Sequence, residues 1–295
     1  MRIKAIGIGA LALLQMELPK AAENAFSAQD PAIDFAFLEF EPYPALGGSR
    51  FQGPALAPAR VNRAWRVASQ LSFPAGKIGN TELFGEMKST LLDRDIVYRG
   101  AKLNDGVLQR YWLSGGATWN GRDGQSSLVM GAVGINSDFA DMGPMDFNTE
   151  WIYSHFWTLS TAFNWGLGLD VQQYFHKAVP YPLVFIEWRI SDRTKLKWDA
   201  DYLEMRRFLS PGLCFTAGVR FNLEFFALKD DASYEYDTMG LETGFQYAIG
   251  ANTYLRLKYK ELVWGEEEVG LPNGSTHSAP LSAGRSLRFN VTYGM

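Results

Sequence analysis

The chain has 295 residues, of which 14% are aromatic, with 29 Gly, a single Cys and a formal net charge of −4. The acidic balance, with no Lys/Arg-rich run, excludes a basic surface for gripping nucleic acid, and the lone Cys214 excludes an internal disulfide or a cysteine metal cluster. Together, the aromatics and glycines suit a β protein with aromatic girdles, tight turns and small inward-facing residues.

At the N-terminus, Arg2 and Lys4 precede an apolar stretch over 5–14, the order of charged and apolar regions in a secretory signal. The stretch is too short for a membrane-spanning helix, which needs about 20 apolar residues. Gln15, Glu17 and Pro19 interrupt it early. The small residues Ala25 and Ser27 place cleavage after residue 27, so 1–27 is expected to be a signal peptide. No later segment reaches the length of a membrane helix, and membrane residence would require strands. Residues 28–60 begin with an apolar run, Phe35 to Phe40, and continue through Pro42, Pro44, Gly47, Gly48, Pro54 and Pro58. That punctuation breaks regular structure, and the segment reads as a lead-in that packs at a barrel mouth or adds an edge strand.

From 61 to 295 the dominant period is 2. Between Leu213 and Phe225, for example, Leu213, Phe215, Ala217, Val219, Phe221, Leu223 and Phe225 share one face; Cys214, Thr216, Gly218, Arg220, Asn222 and Glu224 share the other. A helix would scatter these residues, whereas a strand sorts them. Such runs fall at 61–73, 80–94, 107–119, 125–136, 147–156, 158–172, 182–191, 194–203, 212–226, 234–249, 251–264 and 284–295. The expectation is therefore all-β: a transmembrane up-and-down antiparallel barrel of about 12 strands, an even number as closure requires. If the last strand ends in the periplasm, the segment 265–283 and the connection from Ala227 to Ser233 lie outside the cell, and the tight connection at Gly250 lies inside. Further back the rule fails. The connection 173–181 is long where it should be short, and 191–194 is short where it should be long, which points to a miscounted strand in the middle.

The last run alternates Leu287, Phe289, Val291, Tyr293 and Met295 with Arg288, Asn290, Thr292 and Gly294, as outer-membrane barrels typically finish. Such a strand would be the element read by the barrel-assembly machinery, and outer-membrane lipids would cover the apolar face. The chain also resembles a bacterial family of outer-membrane β-barrels of unknown function. The likeness covers roughly residues 30–295 and rests on Trp165-Gly166-Leu167-Gly168-Leu169, Pro180-Tyr181-Pro182-Leu183, the run Ile190 to Leu196, Ala217-Gly218-Val219-Arg220-Phe221 and the last strand. It implies an outer-membrane barrel and transfers no catalytic residue.

Ten charged residues fall on the polar faces and are the candidate lumen lining: Arg66, Lys195, Lys197, Asp199, Asp201, Arg220, Glu224, Arg256, Lys258 and Lys260. They would either select the small polar solutes of a narrow passive channel or pair into a plug that makes the barrel a structural envelope component. No cofactor is expected. A membrane-embedded lipid-modifying enzyme is the alternative, with His155, His176 and His277 as its candidate bases. Ser154 and Ser278 adjoin two of them, but strand neighbours point to opposite faces. Glu266-Glu267-Glu268 reads as a solvated acidic loop rather than a metal site, since consecutive residues rarely converge.

Overall fold

The computed structural model describes residues 34–42, 49–50, 60–98, 101–104, 106–121, 124–140, 142–175, 177–250, 253–280 and 284–294. The segment read as a signal peptide lies outside them. The period-2 runs form a closed antiparallel barrel of 14 strands. In chain order these are β1 Asp34–Pro42, β2 Arg60–Ile78, β3 Thr81–Tyr98, β4 Leu108–Asn120, β5 Gln125–Ser137, β6 Phe147–Ser160 and β7 Phe163–Tyr174. They continue as β8 Lys177–Ser191, β9 Thr194–Asp199, β10 Tyr202–Ser210, β11 Leu213–Ala227, β12 Ser233–Ala248, β13 Thr253–Gly270 and β14 Arg285–Gly294. Each strand pairs with its neighbours in sequence, and β1 closes the ring against β14, with Leu38 opposite Val291 and Phe40 opposite Phe289.

Two strands separate this wall from the expected twelve. The first is β1, whose apolar run lay in the proline-punctuated lead-in. The second arises because the run 194–203 is not one strand: the chain turns back at Ala200 and Asp201, and Tyr202–Ser210 climbs down beside it. With both included, the connections sort by length, apart from the two-residue turns at 175–176 and 200–201. Those at 79–80, 121–124, 161–162, 192–193, 211–212 and 249–252 lie at the end that holds the N-terminus of β1 and the C-terminus of β14. Those at 43–59, 99–107, 138–146, 175–176, 200–201, 228–232 and 271–284 lie at the other. Short turns at one end and longer loops at the other is the pattern of outer-membrane barrels, so the misfit around 173–194 was the missing strand.

Around the wall the outward residues are apolar and exposed, including Leu71, Leu113, Val133, Tyr153, Leu169, Ile190, Met205, Phe245, Leu257 and Phe289. Inward positions are glycine, polar or charged residues, interspersed with apolar ones. Several strand glycines are dictated by close approach: a Cβ on Gly244 would run into the carbonyl of Leu257, and one on Gly218 into that of Leu203.

The upper parts of β11, β12 and β13, toward the long loops, depart from this scheme. In β11, Glu224, Phe225, Phe226 and Ala227 are all buried, so both faces are covered. Ala227 pairs in parallel with Ser137 of β5, a strand on the far side of the ring, so this end of β11 has left the wall and crosses the lumen. The sequence expectation that Phe225 belongs to the outer apolar face is corrected here: its ring stacks on Tyr174 with centroids 4.2 Å apart. Phe226, Tyr234, Tyr236, Leu262 and Val269 pack with Leu92, Ile96 and Leu108 of the facing wall into one cluster. Arg94 donates to the Tyr234 hydroxyl, which donates to Glu267 at 2.7 Å.

Where β11 turns inward, the wall is interrupted. Strand β9 has only 6 residues, fewer than the 9–11 or so that cross a membrane. Above the turn at Ala200, β8 residues 177–183 have no partner on the β9 side among the described residues, and β11 residues above Phe221 have none on the β10 side. The highest cross-links are Ala200 N to Val184 O at 3.2 Å and Phe221 N to Asp201 O at 2.8 Å. Because Val184 turns its carbonyl toward β9, Pro180 and Pro182 share its orientation. Each proline lacks its N–H on the free edge, where no ladder continues.

Candidate functional site in the lumen

The lumen has two unlike halves. On one side, β10–β14 with β1 and β2 carry a continuous ionic network. Arg288 sits at its centre, 2.8 Å from Glu242, 3.0 Å from Glu41 and 3.3 Å from Glu39. Lys258 Nζ lies 2.9 Å from Glu204 and 3.7 Å from Glu242, and donates to the Tyr202 hydroxyl at 2.8 Å. Arg220 reaches Glu242 at 3.1 Å and lies over the Tyr202 ring. Charges this deeply buried persist only when each meets several opposite partners, and here they do. On the other side, Phe84, Leu128, Met130, Ile152, Leu183 and Phe185 turn an apolar surface to the lumen.

The ten candidate lining residues divide accordingly. Arg66 bridges Glu39 at 2.7 Å and Glu224 at 3.1 Å, tying the wall to the crossing part of β11. Arg220, Lys258 and Lys260 belong to the network, Lys260 through Glu41 at 3.9 Å. Lys197 pairs with Asp199 at 3.8 Å, Lys195 lies over the Phe208 ring, and Arg256 donates to Gln246 at 2.7 Å. Asp201 is not on a strand but in the β9–β10 turn, 3.9 Å from Arg220. The carboxylates that organise the network, Glu39, Glu41, Glu204 and Glu242, were not singled out. Glu242 was legible as a polar-face residue of a period-2 run; Glu204 fell in the connection between the runs 194–203 and 212–226, and the two on β1 were hidden by the reading of 28–60 as a lead-in.

At mid-height, beneath the crossing segment, lies a cavity of about 90 Å³. It is lined from β2 to β7 and by the turn and upper β11, with Arg66, Arg110, Trp112, Glu150, Asp201 and Glu224 among its polar groups. A water needs about 10–15 Å³ by this measure, so the space holds several waters or one small solute.

Of the histidines, His155 faces outward, and its Nδ1 lies 2.8 Å from the Ser127 hydroxyl across the β5–β6 pair. The ring also packs on Trp157, and it meets no carboxylate among the described residues. His277 lies opposite Val269 at the long-loop end, and His176 is outside the described residues. Glu266, Glu267 and Glu268 are strand residues of β13 rather than loop residues, and alternate in direction, Glu267 inward toward Arg94. Among the described residues no three His, Cys, Asp or Glu converge on a metal position.

No family model matches the chain, and no curated protein does. Among solved structures, the toluene transporter TodX of Pseudomonas putida aligns at 8% identity over 97% of this chain and 92% of that one, with a TM-score of 0.46. An outer-membrane channel of the same organism aligns at 8% identity over 88% and 93%, with a TM-score of 0.47. The NanC porin aligns at 8% identity over 88% and 100%, with a TM-score of 0.41. At such identities and scores the likeness says nothing about what this barrel carries.

Proposed function

We propose that the chain is an outer-membrane barrel of a Gram-negative bacterium acting as a narrow passive channel for small polar solutes. The observation that carries this reading is a closed ring, apolar outside, whose polar lumen holds a cavity at mid-height large enough for several waters or one small solute. A pure plug would close that space with side chains, whereas a polar cavity of this size admits water or a small solute. The long-loop end faces outward from the cell and the short turns face the periplasm. The amphipathic β14 is the strand offered to the assembly machinery. The crossing segment keeps the resting path narrow, so refolded protein in planar bilayers is expected to give small, discrete conductance steps. Electrical silence under all voltages, with the heat-modifiable gel shift of a folded barrel intact, would favour the structural plug instead.

The Ser127–His155 contact is the one observation favouring a lipid-modifying enzyme. On that reading, His155→Ala would abolish release of fatty acid from labelled phospholipid; on ours, no such release occurs in either protein.

A further inference from the structure

The interrupted wall and the mid-height cavity belong together. Phe221 and Leu223 line the cavity. They lie on the face of β11 that, lower down, carries Phe215 against the exposed Phe245 on the outside of the barrel. The same cavity touches the lumen-facing Gln70 of β2 and Gln172 of β7, and Asp201 at the tip of the β9–β10 turn. The cavity reaches the edge of the gap, since Asp201 and Phe221, which form the highest link between β10 and β11, both line it, and Leu223 just above them does too. The gap stands within the apolar belt. Beside it, above the level of Ala200, Pro180 and Pro182 are exposed on β8, and Leu169 of β7, opposite Pro182, is exposed as well.

The cavity also presents buried groups that lack partners. Trp112 is only 6% exposed, and its indole N–H meets no acceptor. Glu224 is 5% exposed; its Oε1 takes Arg66, while its Oε2 has no donor. Arg110 makes no hydrogen bond or ion pair with a described residue, and its guanidinium lies 5.0 Å from the Trp112 ring centre. A buried donor or acceptor left unmet keeps its desolvation penalty, so these groups are poised for a ligand that both accepts and donates. The lining charges balance, Arg66, Lys88 and Arg110 against Glu150, Asp201 and Glu224, so no net charge is demanded of it. Phe221, Leu223 and the Trp112 ring would face its apolar part.

We propose that the gap between β8 and β11 is a lateral port from the bilayer into this cavity, and that the cavity takes a small uncharged amphiphile, an apolar body with a hydroxyl head. The hydroxyl pairs with Trp112 and Glu224, and the body lies along Phe221 and Leu223 toward the lipid. This adds a second route to the axial one proposed above, and its test does not depend on whether the barrel conducts.

The test is photolabelling of the full barrel in phosphatidylcholine vesicles with two diazirines. One is an octanol bearing the diazirine in its chain; the other is a water-soluble quaternary ammonium of similar size. The octanol is expected to label the peptides containing Trp112 and Leu223, and excess plain octanol should suppress that labelling. The ammonium probe should label loops and, having only the axial path into the cavity, label it less than the octanol does. Trp112→Phe, checked for folding by its gel shift, should lower cavity labelling about fivefold, the effect of one hydrogen bond of about 1 kcal/mol. Octanol labelling of the cavity no stronger than at the buried, inward Cys214 and Tyr254 would overturn the site. Equal labelling of the cavity by the ammonium probe would overturn the lateral port. Both comparisons stand on the unmodified protein if the variant fails to fold.

Discussion

Strand β11 is two structures in one run of alternating residues. From Leu213 to Arg220 it is barrel wall, one face toward lipid and one toward the ionic network; above Phe221 it leaves the β10 ladder, and from Glu224 to Ala227 it crosses the lumen with both faces covered. The alternation of apolar and polar residues runs unchanged from the lower part into the upper as far as Phe225, and fails only at Phe226 and Ala227. What differs is the neighbour: β10 pairs with the lower part, and the six-residue β9 leaves nothing to hold the upper part in the ring. Periodicity therefore defines two faces of a strand, while the lengths of adjoining strands decide what each face meets.

The sharpest way to break this contrast is to damage each part separately. Arg288→Ala would strip the network of the cation shared by Glu39, Glu41 and Glu242, and is expected to cost about 3–5 kcal/mol in urea unfolding from vesicles. Tyr234→Ala, which removes the hydroxyl holding Arg94 and Glu267, should instead loosen the crossing segment and enlarge the conductance step, with a smaller change in the unfolding midpoint than Arg288→Ala gives. An unchanged step would mean that the crossing segment does not limit the path. Next, an arginine on the lipid face, Leu257→Arg, should destabilise by about 2–4 kcal/mol, whereas Ser233→Arg at the tip of β12 should stay within about 1 kcal/mol. Equal costs would refute the claim that the upper part of the β12–β13 sheet has left the lipid. Gly244→Ala, forcing a methyl against the Leu257 carbonyl, is expected to cost about 1–3 kcal/mol by the same measurement. At the bottom of the scale, Glu82→Gln breaks the exposed ion pair with Lys77 at 3.2 Å and should change stability by less than about 1 kcal/mol.

How far the sequence spoke can be followed along the same strands. The wall from β2 to β8 and from β11 to β14 was legible, because lipid outside and polar groups inside impose alternation on every residue. The β9–β10 turn was not. It forms at Ala200 and Asp201, with no glycine or proline, and Ala200 adopts a φ of 49°, a left-handed conformation that its residue type does not advertise. Only the loop-length misfit betrayed it. The β1 strand was masked by the prolines that follow it, although its alternation of Leu38, Glu39, Phe40 and Glu41 continues the rule. The cavity and the port were invisible because they follow from which strands stop short, a property of pairing rather than of any residue. The inward direction of Lys258 and Lys260 was readable; that their carboxylate partners would come from β1, β10 and β12 was not.

The seam between β1 and β14 sets the order in which such a molecule can assemble. Glu41 and Arg288 meet across 247 positions of the chain, so the last ladder forms only when the two ends of a nearly complete sheet find one another. Joining so distant a pair carries a loop-closure penalty, and topologies of this kind fold slowly. The salt links of Arg288 to Glu39 and Glu41 then act as a clasp, formed at the final step. A variant lacking them should accumulate as an open, protease-sensitive sheet before it matures.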